Sequence, residues 1–321
     1  MTSYVIQRIL LTLPVILMAL TLVFLAGHAV PDYAVRSIAQ GIPSGGTLQE
    51  AEQQVRHDLG LDKPLWKQYG EYVGGVLKGD LGDSYITKRP VLLELKTRMP
   101  ASVELGLLML LVSLVVSLPV GIISAIRQDT WLDYVLRLVS ILGLAIPSFY
   151  LGVLLLIFVF KVFDWAPPLT PTAYQDIWED PIQNLKQMVL PAIAGGLALG
   201  AGMMRLLRSQ MLEVLRQDYV RTAWAKGLRE RTIIFRHVLK NALIPVFTFA
   251  GLEIGVLFSG EIVLEWMFSI PGMGVYTVMA LKQSDFPTAQ GVVLVVATAL
   301  VATNLLVDLT YGWLDPRVRY Q

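Results

Sequence analysis

The sequence predicts an all-α integral membrane protein with six transmembrane helices, and three observations predict this class. Of the 321 residues, 55% are hydrophobic and only 16% are charged, with a mean hydropathy of +0.59. This is more apolar surface than a water-soluble core can bury. The apolar residues are gathered in runs, most of them long enough to cross a hydrocarbon layer. A strongly basic stretch separates two of the runs, and such stretches mark the cytoplasmic side of a membrane.

Six apolar runs account for most of the hydrophobic residues. They cover residues 9–30, 100–125, 134–160, 188–202, 241–263 and 289–311. The first run has 22 residues, which exceeds the apolar region of a signal peptide, so we expect a permanent helix rather than a cleaved leader. The chain then divides into the amino terminus with the first helix (1–30), an external polar segment (31–98) and a core with the other five helices (99–321).

The charges of the connections predict the orientation. Residues 205–240 contain nine Lys or Arg against three acids, whereas residues 161–187 contain two Lys against four acids. Positive connections stay in the cytoplasm, so the first stretch is expected inside and the second outside. The segment 31–98 is long, and long connections are translocated across the membrane largely independently of their charge. Six spans then leave both termini in the cytoplasm.

Glycine and proline positions predict local features of the runs. Gly196 and Gly200 lie four residues apart in the fourth run, and small residues at this spacing let helix backbones approach closely. We favour helix packing over a hinge at this place. After the fifth run, Pro271, Gly272 and Gly274 interrupt the pattern and exclude one continuous helix. Short helices at the outer mouth are expected there.

The basic stretch 205–240 organises the rest of the chain. Its centre reads Asp218-Tyr-Val-Arg-Thr-Ala-Trp-Ala-Lys-Gly227. Residues 220–226 suit a short helix, and Gly227 supplies the left-handed conformation that ends one cheaply. Such a helix, with small residues on one side and cations on another, can dock into a cleft on a partner protein. The alternatives are a solvated loop that only sets the topology, or one that holds anionic lipid headgroups.

This central motif resembles the signature loop of binding-protein-dependent ABC importer permeases. In that loop a Glu-Ala-Ala triplet is followed by three residues and then a glycine, with a Leu-Pro further on. Here the triplet is Arg221, Thr222 and Ala223, the glycine is Gly227, and the proline is Pro245. In two respects the sequence resembles the dipeptide/oligopeptide/nickel branch of the family. The triplet has no acid, and the motif has the form Arg-Thr-Ala-x-Ala-Lys-Gly-Leu.

Further segments extend the resemblance over nearly the whole chain. Residues 59–69 and 79–84 resemble the external segment that follows the first helix in peptide-importer permeases, and residues 265–274 resemble the element after the fifth helix. Residues 314–320 resemble the family's cytoplasmic ending. The external segment 31–98 is equally compatible with a structural cap and with a role in receiving a binding protein.

The resemblance implies a type I ABC importer permease fold in the inner (plasma) membrane. The chain would form half of a translocation pathway for peptides, the other half coming from a sister permease in a heterodimer. Its expected partners are two cytoplasmic ATP-binding subunits, an external substrate-binding protein and the lipid bilayer, without nucleic acid. ATP would be bound by the partners, and this chain would need no cofactor. The residues expected to couple to the ATPases are Asp218, Tyr219, Arg221, Thr222, Ala223, Lys226 and Gly227.

Charged residues within apolar runs are expensive and are therefore functional candidates. The clearest is Glu253 in the fifth run, while Asp308 lies near the inner end of the sixth. Glu253 could line the translocation path and meet the amino end of a peptide. It could also relay protons, pair with a residue of a partner helix, or stay protonated and hydrogen-bonded.

Catalysis is not indicated, and we expect a transport subunit rather than an enzyme. The sequence has no cysteine, and His28, His57 and His237 lack the spacing of metal ligands. No phosphate-binding loop is encoded, so the energy for active transport must come from another polypeptide. The sequence also lacks the paired catalytic groups that an intramembrane enzyme would need. The remaining alternative is a stand-alone ion-coupled secondary transporter or channel, but such folds usually carry internal repeats, and none is apparent.

Overall fold

The computed structural model describes residues 2–28, 35–36, 39, 47–58 and 61–314. Within these residues the regular structure is helical, apart from one β-bridge between Asp83 and Pro90. The helices are α1 (Thr2–His28), α2 (Leu48–Asp58), α3 (Leu65–Leu77), α4 (Val91–Ile126), α5 (Trp131–Ala145), α6 (Ser148–Phe163), α7 (Pro181–Leu215), α8 (Asp218–Ala225), α9 (Glu230–Leu257), α10 (Ile262–Met267), α11 (Met273–Lys282) and α12 (Phe286–Leu314).

The membrane-spanning helices follow the predicted apolar runs, with one difference. Among the described residues, α1, α4, α7, α9 and α12 are each long and apolar enough to cross a membrane. The third run forms two helices, α5 and α6, bent by 108°. The six spans predicted from the sequence are present when this pair counts as one broken span. The prediction of one straight helix over 134–160 is wrong.

Pro147 is the physical reason for this break. Proline has no N–H to donate, and it restricts the residue before it to extended backbone. Accordingly, α5 ends at Ala145, Ile146 has φ −88° and ψ 121°, and α6 begins after Pro147. Prolines inside spanning helices are often tolerated, and Pro14 lies within α1 without ending it.

Several helices extend beyond their predicted limits, among them α7 and α4. Helix α7 begins at Pro181, because the Asp180 side chain accepts hydrogen bonds from the N–H groups of Ile182 and Gln183 at 3.1 and 3.0 Å. The predicted outer loop 161–187 therefore ends at residue 180. The same helix continues to Leu215, so the basic stretch begins as helix rather than loop. Likewise, residues 91–98 of the predicted external segment belong to α4.

The chain folds as two compact units. The first comprises residues 1–102, 258–262 and 271–321. In it α1 packs along α12 so closely that a Cβ at Gly27 would lie 1.6 Å from Gln290 Nε2, and Gln290 Nε2 donates to the carbonyl of Val23 at 3.2 Å. In the same unit the Ser84 hydroxyl donates to Asp285 Oδ2 at 2.5 Å. The carboxy-terminal motif 314–320 lies outside the described residues after Leu314.

The second unit comprises residues 103–257 and 263–270. Small residues let its helices approach closely, as predicted for the fourth run. A Cβ at Gly196 would lie 2.6 Å from Val112 Cβ and 2.7 Å from the carbonyl oxygen of Met109, so glycine is required where α7 crosses α4. In the same unit Gln187 of α7 is fully buried, and its Nε2 donates to the carbonyls of Phe268 and Ser269 at 3.0 and 3.2 Å.

The interrupted segment after the fifth run forms two short helices, α10 and α11, as its Pro and Gly residues predict. Between them Ser269 takes a positive φ of 55°, and its hydroxyl donates to the carbonyl of Leu169 at 2.9 Å. The predicted location of these helices at the outer mouth remains a prediction.

Candidate functional site

The short helix α8 lies at the centre of the basic stretch. It begins at Asp218, two residues before the predicted start, and ends at Ala225. The Gly227 N–H donates to the Trp224 carbonyl at 2.9 Å, and the Leu228 N–H donates to the Ala223 carbonyl at 3.3 Å. This pair of bonds is the Schellman ending of a helix. Gly227 has the positive φ of 71° that the motif requires, as the sequence predicts.

One face of α8 is fixed to the rest of the second unit. Val220 is fully buried and Ala223 is only 6% exposed. Both belong to a cluster with Leu207 and Met211 of α7 and Ile233 of α9. Ala223 is one of the residues expected to couple to the ATPases, and its side chain lies in this cluster, where it anchors the helix. The small-residue side of α8 is therefore its inner side.

The other face of α8 is open and carries both aromatic and charged groups. Tyr219 is 45% exposed and Trp224 is 48% exposed. Its exposed residues are Asp218, Tyr219, Arg221, Thr222, Trp224 and Ala225, and the helix is followed by exposed Lys226 and Gly227. Arg221 approaches Asp218 at 3.5 Å, but both side chains are largely in solvent, so this pair contributes little to stability. Exposed tyrosine and tryptophan are typical of contact surfaces.

Trp224 is the residue of this surface that sequence reasoning missed. In the sequence it stands at the position written x in the family form Arg-Thr-Ala-x-Ala-Lys-Gly-Leu, where the peptide branch more often has Arg. Helical geometry alone does not predict its exposure, because Trp224 lies four residues after buried Val220 and so shares its side of the helix. The packing of α8 nevertheless leaves Trp224 open to solvent. The neighbouring Tyr219 is held in place, because the Asn241 side-chain amide donates to its hydroxyl at 2.8 Å. This bond connects α8 to α9.

The segment that receives α8 is a π-helical turn at Ile233–Val238. Ile233, Ile234 and Val238 are buried in the cluster that anchors α8. Such turns are rare and are frequently found at functional sites. Because the turn is part of α9, the side chains that pack against α8 belong to a spanning helix.

Glu253 lies in α9 and is half-buried. Within the described part of the chain, no hydrogen bond or ion pair holds its carboxylate. A carboxylate without a partner in a spanning helix can accept a hydrogen bond from a cationic ligand or from another subunit. Asp308 lies on α12, and its side chain is outside the described part.

A second acid in a spanning helix, Glu104, was missed by the sequence analysis. Its Oε2 accepts hydrogen bonds from the Tyr174 hydroxyl at 3.2 Å and from the Asn184 amide at 3.1 Å. Its Oε1 is buried and has no hydrogen-bond partner among the described residues. Burial and the neighbouring Glu104 carboxylate raise the pKa of the Tyr174 phenol, so it stays protonated and donates. The rule that identified Glu253, an acid inside an apolar run, also identifies Glu104.

The third polar site is a buried ion pair between α5 and α7. Arg208 Nη2 lies 2.8 Å from Asp133 Oδ2, and Arg208 Nε donates to Asp133 Oδ1 at 2.9 Å. Asp133 is fully buried and also accepts from the Ser124 hydroxyl at 2.5 Å. The bidentate geometry makes this pair strong and directional. In the sequence the charges around Asp133 are too few to predict it.

These features define a class of protein. It is a helical membrane domain that has a basic stretch of the kind found on the cytoplasmic side, and within that stretch one anchored helix presents a face to solvent that is suited to docking. A family model described as "Binding-protein-dependent transport system inner membrane component" matches residues 117–320, and a model for the amino-terminal part of such components matches residues 1–106. The chain belongs to this family of membrane-spanning ABC importer permeases, and the resemblance found in the sequence is confirmed.

Several curated proteins are similar over their whole length. The chain is 36% identical to "Dipeptide transport system permease protein DppB" of Escherichia coli (strain K12), over 341 aligned residues and all of both chains. It is 35% identical to the protein of the same name from Alkalihalophilus pseudofirmus, again over all of both chains. It is also 36% identical to "Glutathione transport system permease protein GsiC" of Pectobacterium atrosepticum, over all of both chains.

Proposed function

We propose that this chain forms half of the translocation pathway for peptides in an ABC importer, and that a substrate-binding protein delivers the peptides. The observation that carries the proposal is full-length similarity to permeases named for dipeptide, di/tripeptide and glutathione transport. All three names specify short peptides or a peptide-like solute. The proposed substrate class is therefore short peptides.

The proposed partners follow from what this chain lacks and from what it exposes. No phosphate-binding loop is present in the sequence, so ATP would be bound and hydrolysed by two separate cytoplasmic subunits. A single six-span chain would enclose half of a path, and a sister permease would supply the other half in a heterodimer. Positive charge in residues 205–240 supports a cytoplasmic location for α8 and for both termini.

The proposed mechanism is alternating access driven through α8. ATP binds the closed state of the ATPases more tightly than the open state, and this difference in affinity biases the two membrane conformations. The cleft of one ATPase would hold the exposed face of α8, including Tyr219, Arg221, Thr222 and Lys226. The inner face of α8 packs on α7 and α9, so closure of the ATPases would move both spanning helices as one body.

The first test is purification of the tagged chain from its native membranes in a mild detergent, with mass spectrometry of the proteins that co-elute. We expect a sister permease and one or two kinds of ATPase in near-equal amounts, because α8 presents a docking surface that the described part of the chain leaves exposed. A chain that elutes alone, or only with copies of itself, would contradict the proposal. It would favour the stand-alone ion-coupled transporter instead.

Glu253 is the proposed contact for the amino group of the peptide within the path. Glu253→Gln keeps the size of the side chain and removes its charge, and we expect the apparent affinity for a dipeptide with a free amino terminus to fall about tenfold or more, as for loss of a charge-assisted hydrogen bond. The measurement is concentration-dependent uptake of a labelled dipeptide in proteoliposomes that contain the complete transporter.

The matched control is Glu213→Gln, the same change at an exposed position of α7. This variant should transport like the wild type. Equal apparent affinities in Glu253→Gln and the wild type would remove Glu253 from the pathway. A loss of assembly in Glu253→Gln alone would instead assign the carboxylate to a contact with the sister subunit.

A further inference from the structure

A groove lies between α5 and α7, within the second unit and at the basic end of α7. Its volume is about 600 Å³. Three arginines, a serine and several apolar residues line it; the members used below are Arg137, Ile141, Arg205, Leu206, Arg208 and Ser209. This groove is separate from the exposed face of α8, and the proposed transport mechanism does not use it.

Two fixed contacts hold the walls of the groove. Nearer the middle of the two helices, the Ser140 hydroxyl donates to the Ala201 carbonyl at 3.1 Å, and a Cβ at Gly143 would lie 3.0 Å from Ala201 Cβ. Nearer the basic end, Asp133 and Arg208 form the bidentate ion pair described above. Arg137 lies on α5 between these two ties, and Arg205 lies on α7 between them. The groove is therefore preformed.

The groove carries uncompensated positive charge. Arg208 is neutralised by Asp133, which is fully buried behind it. Arg137 and Arg205 are exposed, and in the described part of the chain neither forms an ion pair with a carboxylate. The Arg137 guanidinium lies 5.8 Å from the centre of the Tyr134 ring, a contact that leaves its N–H groups free. Two guanidinium groups are thus available to one ligand.

The remaining wall of the groove is apolar. Ile141 is 54% exposed, and Leu206 of α7 also lines the groove. The exposed surface of α5 continues with Leu138 and Leu142. A ligand that fits this combination has a negative head between the arginines and a hydrocarbon part along α5.

We propose that this groove binds the phosphate headgroup of an anionic phospholipid in the leaflet at the basic end of α7. Guanidinium groups bind phosphate oxygens in bidentate fashion, and basic pockets between spanning helices suit anionic headgroups. Charge complementarity selects an anionic lipid, because the ammonium group of a zwitterionic headgroup would be repelled by the two arginines. Ser209 provides a hydroxyl for one further hydrogen bond. A free phosphate ion could bind the same two arginines, but it would make no contact with the apolar wall.

The test measures lipid binding to the full-length chain, purified with its accompanying subunits and depleted of lipid by detergent exchange. Native mass spectrometry follows titrations with dioctanoyl phosphatidylglycerol, dioctanoyl phosphatidylcholine and inorganic phosphate. We expect phosphatidylglycerol to bind at least about tenfold more tightly than phosphatidylcholine, and the double variant Arg137→Gln/Arg205→Gln to lose about 25-fold in affinity for phosphatidylglycerol, about fivefold per arginine. Affinity for phosphatidylcholine should not change.

The control variant is Arg229→Gln, which removes one positive charge from the same basic stretch at a residue that does not line the groove. It should bind phosphatidylglycerol like the wild type. Equal binding of the two lipids, or an equal loss in the control variant, would overturn the proposal. Inorganic phosphate that binds as tightly as the lipid would assign the site to the ion and overturn the lipid assignment. Lipid binding that occurs only after a partner permease is removed would make the groove a subunit interface, which also overturns it.

Discussion

Gly227→Glu will abolish most ATP-driven uptake while the chain remains folded and inserted. Apart from the neighbours of Gly227 in the chain, no atom of the described residues lies within 4 Å of a Cβ built at this position, so the larger side chain meets open space. The remaining cost is the positive φ of 71°, about 1–2 kcal/mol for a residue other than glycine. The new carboxylate would lie on the proposed docking surface beside Lys226. A coupling free energy of the usual size predicts a fall in uptake of about tenfold or more.

The measurement is ATP-dependent peptide uptake in proteoliposomes, together with co-purification of the ATPases. Gly227→Asn is the matched control, because asparagine tolerates the left-handed conformation and adds no charge. It should retain most of the uptake. Gly227→Ala separates backbone strain from docking, since it brings the strain without bulk or charge. Wild-type uptake in Gly227→Glu would show that α8 is not the coupling helix.

Of the substitutions proposed for this chain, Arg208→Met should cause the largest loss in the free energy of unfolding. The substitution leaves the Asp133 carboxylate fully buried without its cation. Removal of one partner of a buried ion pair typically costs about 3–5 kcal/mol, because an uncompensated charge remains. We expect a marked drop in the midpoint of thermal unfolding of the detergent-solubilised chain. The loss should be concentrated where α5 meets α7.

The control for this prediction is the double variant Asp133→Asn/Arg208→Met. It removes both charges, and Asn can still accept the hydrogen bond from the Ser124 hydroxyl. Most of the lost stability should return, because a buried pair as a whole contributes far less than either member left alone. If the single and double variants unfold at the same midpoint, the pair does not stabilise the helix contact. Lys186→Met, a change of a cation on the exposed side of α7, should leave the midpoint unchanged.

Much of the fold can be read from the sequence because it depends on local properties. Long apolar runs have few stable states in a bilayer, where every backbone polar group must be bonded within its own helix. The helix at 218–225 and its glycine ending are also local, since Val220 and Ala223 define one face and Gly227 supplies the left-handed residue. The family motif of the basic stretch is likewise a short, contiguous pattern.

The break between α5 and α6 could not be decided in this way. Pro14 and Pro147 both lie in apolar runs, yet only the second ends a helix. Where neighbouring helices satisfy the backbone groups that a proline frees, the helix can continue through the proline. Otherwise the helix ends or bends there. That choice depends on packing with segments far away in the chain. The sequence at Pro147 permits both outcomes.

What the sequence by itself determined is the class of protein, the six apolar spans, the basic stretch and the helix within it. Each of these rests on composition, period or a short motif. Only the tertiary structure decided which residues meet. Asp133 and Arg208 are 75 positions apart, and Glu104 and Asn184 are 80 apart. It also decided that Ala223 faces inward and Trp224 outward. Such contacts depend on how distant helices pack, and the free energy of that packing is not carried by any local pattern.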